Sequence, residues 1–321
     1  MSNLAVVFPG QGSQSVGMLS ELISAYPVVK DTFTEAGEVL GYDLLDLTQN
    51  GPAEELNKTF RTQPAILTAS YAIWKLYQEK NGAEPLALAG HSLGEYSALT
   101  CAGVLSFEDA LRLVEFRGRA MQDAVPLGVG AMSAVIGLSD DAVRENCAKV
   151  TDAGSVQPAN FNCPGQVVIA GDTAAVEKAE ELMKEAGAKK VVRLVVSVPS
   201  HCPLMKPAAD KLKEKLLSAN FSAPKFRVFN NVDARAESDP EKIRDALVRQ
   251  LCNPVRWTET VIEIKKLFGG EEGTFLEFGP GKVLTGLLRR IDRSLKGTAV
   301  NTDETVKEVT EQVWIFLARL Q

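Results

Sequence analysis

Residues 86–99 read LALAGHSLGEYSAL, and this stretch decides how the rest of the chain is interpreted. Its first, apolar part predicts a buried strand, and the segment from Glu95 onward predicts a helix. Ser92 stands between Gly90 and Gly94, in the G-x-S-x-G pattern of a serine on a sharp strand-to-helix turn. Such a turn exposes the hydroxyl at the start of the helix, so Ser92 is predicted to be a nucleophile. The alternative is a turn of small residues with a structural role only.

The same order of strand, glycine-bearing loop and helix recurs along the chain. LAVVF at 4–8 precedes PGQG, and TFLEF at 274–278 precedes GPGK. This order predicts an α/β fold with a hydrolase-like parallel sheet and functional groups at the carboxyl ends of its strands. Residues 126–197 instead follow the order β-α-β-β-α-β, which indicates a ferredoxin-like unit. We therefore predict a large subdomain of residues 1–125 and 198–321, with residues 126–197 inserted as a small subdomain.

The composition narrows the class of protein. With 321 residues, 45% of them apolar and 24% charged, the chain is expected to be globular, with one large or two unequal domains. The formal net charge of −6 gives no reason to expect nucleic acid as a partner, and no apolar run is long enough to span a membrane. The five scattered cysteines predict reduced thiols and no metal site. We recognise no signal peptide and expect a cytoplasmic location.

A serine nucleophile needs a base within hydrogen-bond reach, and the chain has only two histidines. His91 is adjacent to Ser92, and its side chain is expected to point away as a packed or hydrogen-bonded structural histidine. By elimination, His201 is the predicted base. Because no Asp or Glu near His201 in the sequence stands out as its partner, a backbone carbonyl is a candidate acceptor for its Nδ1 proton.

The segment FPGQGSQ at 8–14 looks at first like a phosphate-binding loop. It is followed by Ser15, where the dinucleotide fingerprint needs glycine, and it lacks the Gly-Lys pair of a Walker loop. A glycine loop at the end of a strand can instead offer a backbone N–H to a developing oxyanion, and the residue after the nucleophile offers a second. The amides of Gln11 and Leu93 are thus candidate oxyanion donors.

Six segments together carry a resemblance to a known family. They are FPGQGSQ (8–14), GHSLGEYSA (90–98), FRGRAMQ (116–122), VPSHC (198–202), KPAAD (206–210) and FGPGKVL (278–284). In this order, over about residues 4–300, they resemble the malonyl-CoA:acyl carrier protein transacylases of bacterial fatty acid synthesis. The resemblance implies ping-pong acyl transfer: Ser92 takes malonyl from coenzyme A as an ester, and the phosphopantetheine thiol of acyl carrier protein takes it away. No bound cofactor is implied, since both thiol carriers are substrates.

The resemblance also implies roles for the residues around the nucleophile. His201 would be the base and later the acid, and Gln250 would hold His201 through a backbone carbonyl. Gln11 and Leu93 would form the oxyanion hole.

The resemblance further describes a substrate pocket. Arg117 would grip the malonyl carboxylate, which a guanidinium fork binds in bidentate fashion. The alternative for Arg117 is a surface salt bridge, because Glu115 is a near neighbour on the same predicted helix. His91 and Asn160 would line the pocket, and Ser200 stands where multidomain relatives often carry a bulkier residue.

Two other classes of protein stay open at this point. A serine hydrolase or thioesterase shares the elbow, the base and the oxyanion hole, and differs only in using water to resolve the ester. A non-catalytic acyl-binding module would not need both Ser92 and His201.

Overall fold

The computed structural model describes residues 3–195 and 198–318, and for residues 312–318 only the backbone. The described residues form nine strands in two separate sheets. The strands are β1 (Leu4–Phe8), β2 (Ala87–Gly90), β3 (Gly130–Ile136), β4 (Val156–Cys163), β5 (Gln166–Asp172), β6 (Lys190–Arg193), β7 (Arg227–Phe229), β8 (Thr274–Phe278) and β9 (Lys296–Val300).

Helices cover both sheets. Within the described ranges they are α1 (Ser20–Ala25), α2 (Pro27–Leu40), α3 (Leu44–Asn50), α4 (Ala53–Leu56), α5 (Thr59–Glu79), α6 (Gly94–Cys101), α7 (Phe107–Ala124), α8 (Asp140–Ala148), α9 (Thr173–Glu185), α10 (Lys206–Leu217), α11 (Pro240–Gln250), α12 (Trp257–Lys266), α13 (Val283–Ile291) and α14 (Asp303–Ala318). A short 3₁₀ helix, Pro203–Met205, leads into α10. None of the helices described is long and apolar enough to cross a membrane.

The larger sheet has the order β7-β2-β1-β8-β9, and every pair in it is parallel. All five residues of β1 are buried. Alternate residues of β1 face two different apolar clusters: Leu4, Val6 and Phe8 lie in one, and Ala5 and Val7 lie in the other. A strand buried on both faces reads as a continuous apolar run, which is why LAVVF shows no alternation of polar and apolar residues.

The smaller sheet has the order β4-β5-β3-β6, and its pairs are antiparallel. Helices α8 and α9 pack on it around a separate apolar cluster that includes Val143, Phe161 and Val176. The predicted α/β fold, with a hydrolase-like parallel sheet and a ferredoxin-like small unit, is confirmed. The division of the chain at residues 126 and 197 stays a prediction, and residue 197 lies outside the described residues.

The two sheets meet along β4. Beyond its pairing with β5, this edge strand bonds to the segment that precedes α12: the N–H of Phe161 donates to the carbonyl of Val255 (2.9 Å), and the N–H of Val255 donates to Ala159 (2.9 Å). The hydroxyl of Thr258 also donates to the carbonyl of Phe161 (3.1 Å). Asn162 of β4 also lies 2.8 Å from His91, which directly follows β2. The junction therefore lies beside the carboxyl ends of the parallel strands, where sites form in such sheets.

Candidate active site

The segment between β2 and α6 is a strained turn. Ser92 has a φ of 52°, in the left-handed region that non-glycine residues seldom adopt. A Cβ at Gly90 would lie 1.8 Å from the carbonyl carbon of Gly94, and a Cβ at Gly94 would lie 2.1 Å from the carbonyl oxygen of Phe8. Both positions thus need glycine, so the spacing G-x-S-x-G follows from close backbone approach on either side of the serine.

A histidine faces the Ser92 hydroxyl. The Oγ of Ser92 lies 2.8 Å from the Nε2 of His201, and the Nδ1 of His201 lies 2.8 Å from the backbone oxygen of Gln250. Because a carbonyl can only accept, Nδ1 carries the proton and the lone pair of Nε2 faces Ser92. Burial, followed by the charge of Arg117, lowers the pKa of His201 to about 3. His201 is therefore neutral near pH 7 and able to accept a proton.

Arg117 brings a buried positive charge to the same oxygen. Its side chain is 1% exposed. Nη2 lies 3.3 Å from the Oγ of Ser92 and 2.9 Å from the Oε1 of Gln250, while Nη1 lies 2.9 Å from the Oε1 of Gln63. Within the described parts of the chain, no carboxylate forms an ion pair with Arg117; Glu115 pairs instead with Arg119 at 2.9 Å. The surface salt bridge considered for Arg117 is thus absent.

A buried hydrogen-bond network supports the turn from below. The Oε2 of Glu95 accepts from the backbone N–H of Asn231 (3.0 Å) and from the Nε2 of Gln250 (2.8 Å). The side chain of Asn231 accepts from the N–H of Ser92 and donates to the carbonyl of Gly90, both at 2.7 Å. Burial raises the pKa of Glu95 to about 7. The network holds the backbone of Ser92 in its left-handed conformation.

Sequence reasoning missed Glu95, Asn231 and Gln63. The one available signal was position: Asn231 follows β7, which neighbours β2, so the carboxyl ends of the two strands lie at one edge of the sheet. Glu95 lies in the quoted stretch, but nothing in its local pattern indicates that a glutamate there is buried.

The two candidate oxyanion donors lie in neighbouring loops. Leu93 is the N-cap of α6, and a Cβ at Gly10 would lie 2.5 Å from the carbonyl oxygen of His91, so the loop of Gln11 packs against the turn of Ser92. Among the described residues, neither the Gln11 nor the Leu93 backbone N–H has a hydrogen-bond partner. The side chain of Gln11 is exposed and reaches Thr59 (3.4 Å).

The remaining predicted pocket residues lie at the junction of the sheets. The Nε2 of His91 lies 2.8 Å from the Oδ1 of Asn162 in β4, and the His91 and Trp257 ring centres are 5.7 Å apart. His91 is thus hydrogen-bonded as expected. Asn160, also in β4, is 7% exposed and pairs with Val255, but no hydrogen bond joins its side chain to Ser92 or His201 in the structure described.

All five cysteines are free thiols. Within residues 3–195 and 198–318, no group of three or more His, Cys, Asp or Glu side chains has an arrangement that could hold a metal ion.

Comparison with known proteins identifies the family of the chain. The sequence pattern of the acyl transferase domain family matches residues 5–310. The chain belongs to the acyl transferase domain family. A malonyl CoA-acyl carrier protein transacylase of Salmonella typhimurium is 58% identical over 301 residues, which cover 94% of this chain and 96% of that protein.

Solved acyl transferases have the same fold. A crystal structure of an acyl carrier protein S-malonyltransferase from Vibrio cholerae matches with a TM-score of 0.93 and 58% identity, covering 96% of this chain and 100% of that one. A malonyl-transacylase in complex with its type II PKS acyl-carrier protein matches with a TM-score of 0.94 and 56% identity, covering 97% and 100%. The likeness to these two structures extends over nearly the whole chain, so it includes the site described above.

Proposed function

We propose that the chain moves malonyl from coenzyme A to the phosphopantetheine thiol of acyl carrier protein, through an ester on Ser92, in fatty acid biosynthesis. One observation carries the proposal: the Oγ of Ser92 lies 2.8 Å from the Nε2 of His201 and 3.3 Å from the Nη2 of Arg117. A base and a buried cation thus meet at one nucleophile. A hydrolase of neutral esters needs the base but has no use for the cation. The similar proteins of Salmonella typhimurium and Vibrio cholerae are both malonyl transferases, which agrees with a malonyl substrate.

In the first half-reaction, His201 acts as general base. Its Nε2 takes the hydroxyl proton as the Oγ of Ser92 attacks the thioester carbonyl, while Gln250 keeps the Nδ1 proton in place. The backbone N–H groups of Gln11 and Leu93 stabilise the oxyanion that forms. The carbon–sulfur bond then breaks, His201 gives its proton to the departing coenzyme A sulfur, and an ester remains on Ser92.

The second half-reaction runs the same steps in the opposite direction. His201 takes the proton of the pantetheine thiol, and the sulfur attacks the ester carbonyl. When the tetrahedral intermediate collapses, the Oγ of Ser92 leaves and takes the proton back from His201. No cofactor enters either half-reaction.

The substrate carboxylate is assigned to Arg117. Neutral amide oxygens of Gln63 and Gln250 accept two of its N–H groups, so no anion in direct contact balances the buried charge. Burying a charge is costly unless it is paired, and a malonyl carboxylate beside Ser92 supplies the missing partner.

The other unassigned features fit the same proposal. His91 and Asn160 line the substrate pocket. Residues 126–197 are the small subdomain beside this pocket. The reaction takes place in the cytoplasm. Ser200, whose backbone N–H lies 3.4 Å from the Sδ of Met132, stands at the position that bears on α-substituted malonyl groups.

Intact-mass spectrometry tests the proposal. Malonyl-CoA should add one malonyl group to the wild type and none to Ser92→Ala, and holo acyl carrier protein should then remove the group and carry it. Release of free malonate as the main product would indicate a hydrolase. Absence of any covalent adduct on the wild type would indicate a binding module, and an equal adduct on Ser92→Ala would place the nucleophile elsewhere.

A further inference from the structure

The side chain of Gln250 lies between a buried acid and a buried cation. Its Nε2 donates to the Oε2 of Glu95 (2.8 Å) and to the carbonyl of Ser92 (3.1 Å), and its Oε1 accepts from Arg117 (2.9 Å). Glu95 and Arg117 are each 1% exposed, and Gln250 is fully buried. The proposed chemistry uses only the backbone carbonyl of Gln250, which a residue of any type possesses. It gives neither the amide nor Glu95 a part in the choice of substrate.

Glu95 determines which end of the Gln250 amide faces Arg117. A primary amide has one donating end and one accepting end, and a guanidinium can only donate. The Oε2 of Glu95 accepts from both Gln250 and the backbone N–H of Asn231 (3.0 Å). When Glu95 is protonated on its other carboxyl oxygen, Oε1, its Oε2 can still accept both N–H groups. If the amide turned over, its NH₂ would face the donors of Arg117 and its oxygen would face Glu95, so both contacts would be lost.

The fixed amide in turn fixes the guanidinium. Within the described residues Arg117 has two side-chain acceptors besides Ser92, namely Gln63 and Gln250, and they are not held equally well. The amide of Gln250 is held at its donating end by Glu95. Among the residues described, the Nε2 of Gln63 has one hydrogen-bond acceptor, the Sδ of Met121, at 3.6 Å. A thioether is a weak acceptor, so Gln250 is the better anchor for Arg117.

We propose that Glu95 is a positioning residue for the malonyl carboxylate: it fixes the amide of Gln250, and this amide fixes Arg117 beside Ser92. The inference rests on the proposed function and assigns a further residue to the selectivity of that site. Glu95 also acts on Ser92 through Asn231, but that second path affects every acyl group alike. The ratio of malonyl to acetyl transfer therefore isolates the path through Gln250 and Arg117.

The test compares Ser92 ester formation from malonyl-CoA and from acetyl-CoA, measured as kcat/KM by intact mass. Glu95→Ala and Gln250→Ala should each lower the malonyl-to-acetyl ratio about ten- to a hundredfold, the range for a lost hydrogen bond to a charged group. Glu95→Gln should stay within about threefold of the wild type, because its amide oxygen can accept both N–H groups. The double variant, Glu95→Ala with Gln250→Ala, should show the ratio of Gln250→Ala alone, because both residues act along one path.

Glu277→Ala is the matched control. Glu277 is also a fully buried acid that accepts backbone N–H groups, from Leu284 (3.0 Å) and Thr285 (2.7 Å). It belongs to β8, and its carboxylate faces the first turn of α13 instead of the turn of Ser92. Its removal should lower the melting temperature and leave the malonyl-to-acetyl ratio unchanged.

Two results would overturn the inference. One is an equal loss of malonyl and acetyl transfer in Glu95→Ala, and the other is a double variant whose ratio falls by the product of the single effects. Should Glu95→Ala fail to fold, Gln250→Ala decides alone, because it keeps the carbonyl that holds His201: an unchanged ratio refutes the inference. A wild type that never loads malonyl would instead refute the proposed function.

Discussion

The two sheets contribute different kinds of group to the site around Ser92. The parallel sheet places Ser92 after β2 and Asn231 after β7, so Ser92 and the side chain that holds its backbone come from the ends of neighbouring strands. The small sheet contributes neutral amides of β4, one to each histidine: the Nε2 of Gln157 donates to the carbonyl of His201 (2.9 Å), and Asn162 bonds to His91 (2.8 Å). The parallel sheet thus places Ser92 and the groups that hold its backbone, and the antiparallel sheet contributes amides that hold the two histidines.

The two histidines give the largest contrast, because each is held by β4 but only one faces Ser92. His201→Ala should lower kcat/KM for malonyl transfer by about 10²–10⁴-fold, the usual contribution of a general base. His91→Ala should lose far less. If His91→Ala were the more damaging of two folded variants, the assignment of the base by geometry would be wrong.

Arg117 tests whether the parallel-sheet side also selects the substrate. Truncating one partner of a buried charge pair costs about 2–5 kcal/mol, so kcat/KM for malonyl-CoA should fall roughly 30- to 4,000-fold in Arg117→Ala. Acetyl transfer should hold steady or rise, because acetyl has no carboxylate. Arg117→Lys should recover little, since an ammonium has no fork. Equal losses for both substrates would mean that Arg117 supports the fold instead.

The orienting role of the small sheet predicts a moderate effect. Gln157→Ala removes one neutral hydrogen bond from the backbone of His201, whose φ of 60° is also left-handed. Such a bond contributes about 0.5–1.5 kcal/mol, so kcat should fall about two- to twelvefold. Asn162→Ala, which frees only His91, is the matched control and should change kcat less than about twofold. A loss for Gln157→Ala as large as that for His201→Ala would contradict the division of labour between the sheets.

The surface that binds acyl carrier protein can belong to either part of the molecule. Carrier proteins of this pathway are generally acidic, so we expect a local basic patch despite the negative net charge of the chain. Three clusters are candidates: Lys189 with Lys190 at the small sheet, Lys206, Lys211, Lys213 and Lys215 on α10, and Arg289 with Arg290 at the end of α13.

Charge reversal at the docking cluster should raise KM for carrier protein about two- to fivefold, the range for exposed charge pairs, and leave KM for malonyl-CoA unchanged. An effect at Lys189 and Lys190 alone would place the partner on the small sheet. No effect at any cluster would reject the basic patch.

The smallest expected effect is that of pH on the first half-reaction. A histidine with an ordinary pKa of 6.5 loses most of its neutral, basic form on acidification from pH 8 to pH 6, but burial and then Arg117 lower the pKa of His201 to about 3. Since the neutral form is active, kcat/KM for ester formation should fall less than about twofold between pH 8 and pH 6.

Glu95→Gln is the control for the pH profile. Burial raises the pKa of Glu95 to about 7, with Arg117 opposing and Asp233 adding to the shift. If kcat/KM of the wild type changes near pH 7 and that of Glu95→Gln does not, the change is due to the titration of Glu95. A limb near pH 6.5 in both proteins would contradict a His201 kept neutral by burial.

Local patterns were sufficient for the fold class and for the turn of Ser92. Continuous apolar runs identified the buried parallel strands, and glycine spacing identified the elbow, because both depend on neighbouring residues. The predicted base, His201, lies where the elimination argument needs it. Its carbonyl acceptor was identified as Gln250 only through the resemblance.

The buried polar network was not predictable from local patterns. All eight residues of α6 are buried, so no helical periodicity distinguishes the face that carries Glu95. Its partners Asn231 and Gln250 lie 136 and 155 positions away. The burial of Arg117 was also hidden, since the Glu115–Arg119 pair on the same helix is typical of a surface. The sequence does contain one signal next to Arg117, which is a glycine, Gly118, within the helix. In the structure a Cβ at Gly118 would lie 2.5 Å from the Cα of Phe60, so α7 packs closely against α5 there.

The strand order of the parallel sheet has a consequence for the synthesis of the chain. β1 can pair with β2 once the ribosome has released residue 90, but the other edge of β1 waits for β8, where Thr274 pairs with Leu4. At about 5–20 residues per second, that edge stays open for about 10 to 40 seconds. An open apolar edge is a template for pairing with another chain. Ser92 is thus synthesised early, whereas the pairing of the central strand β1 is completed only near the end of translation.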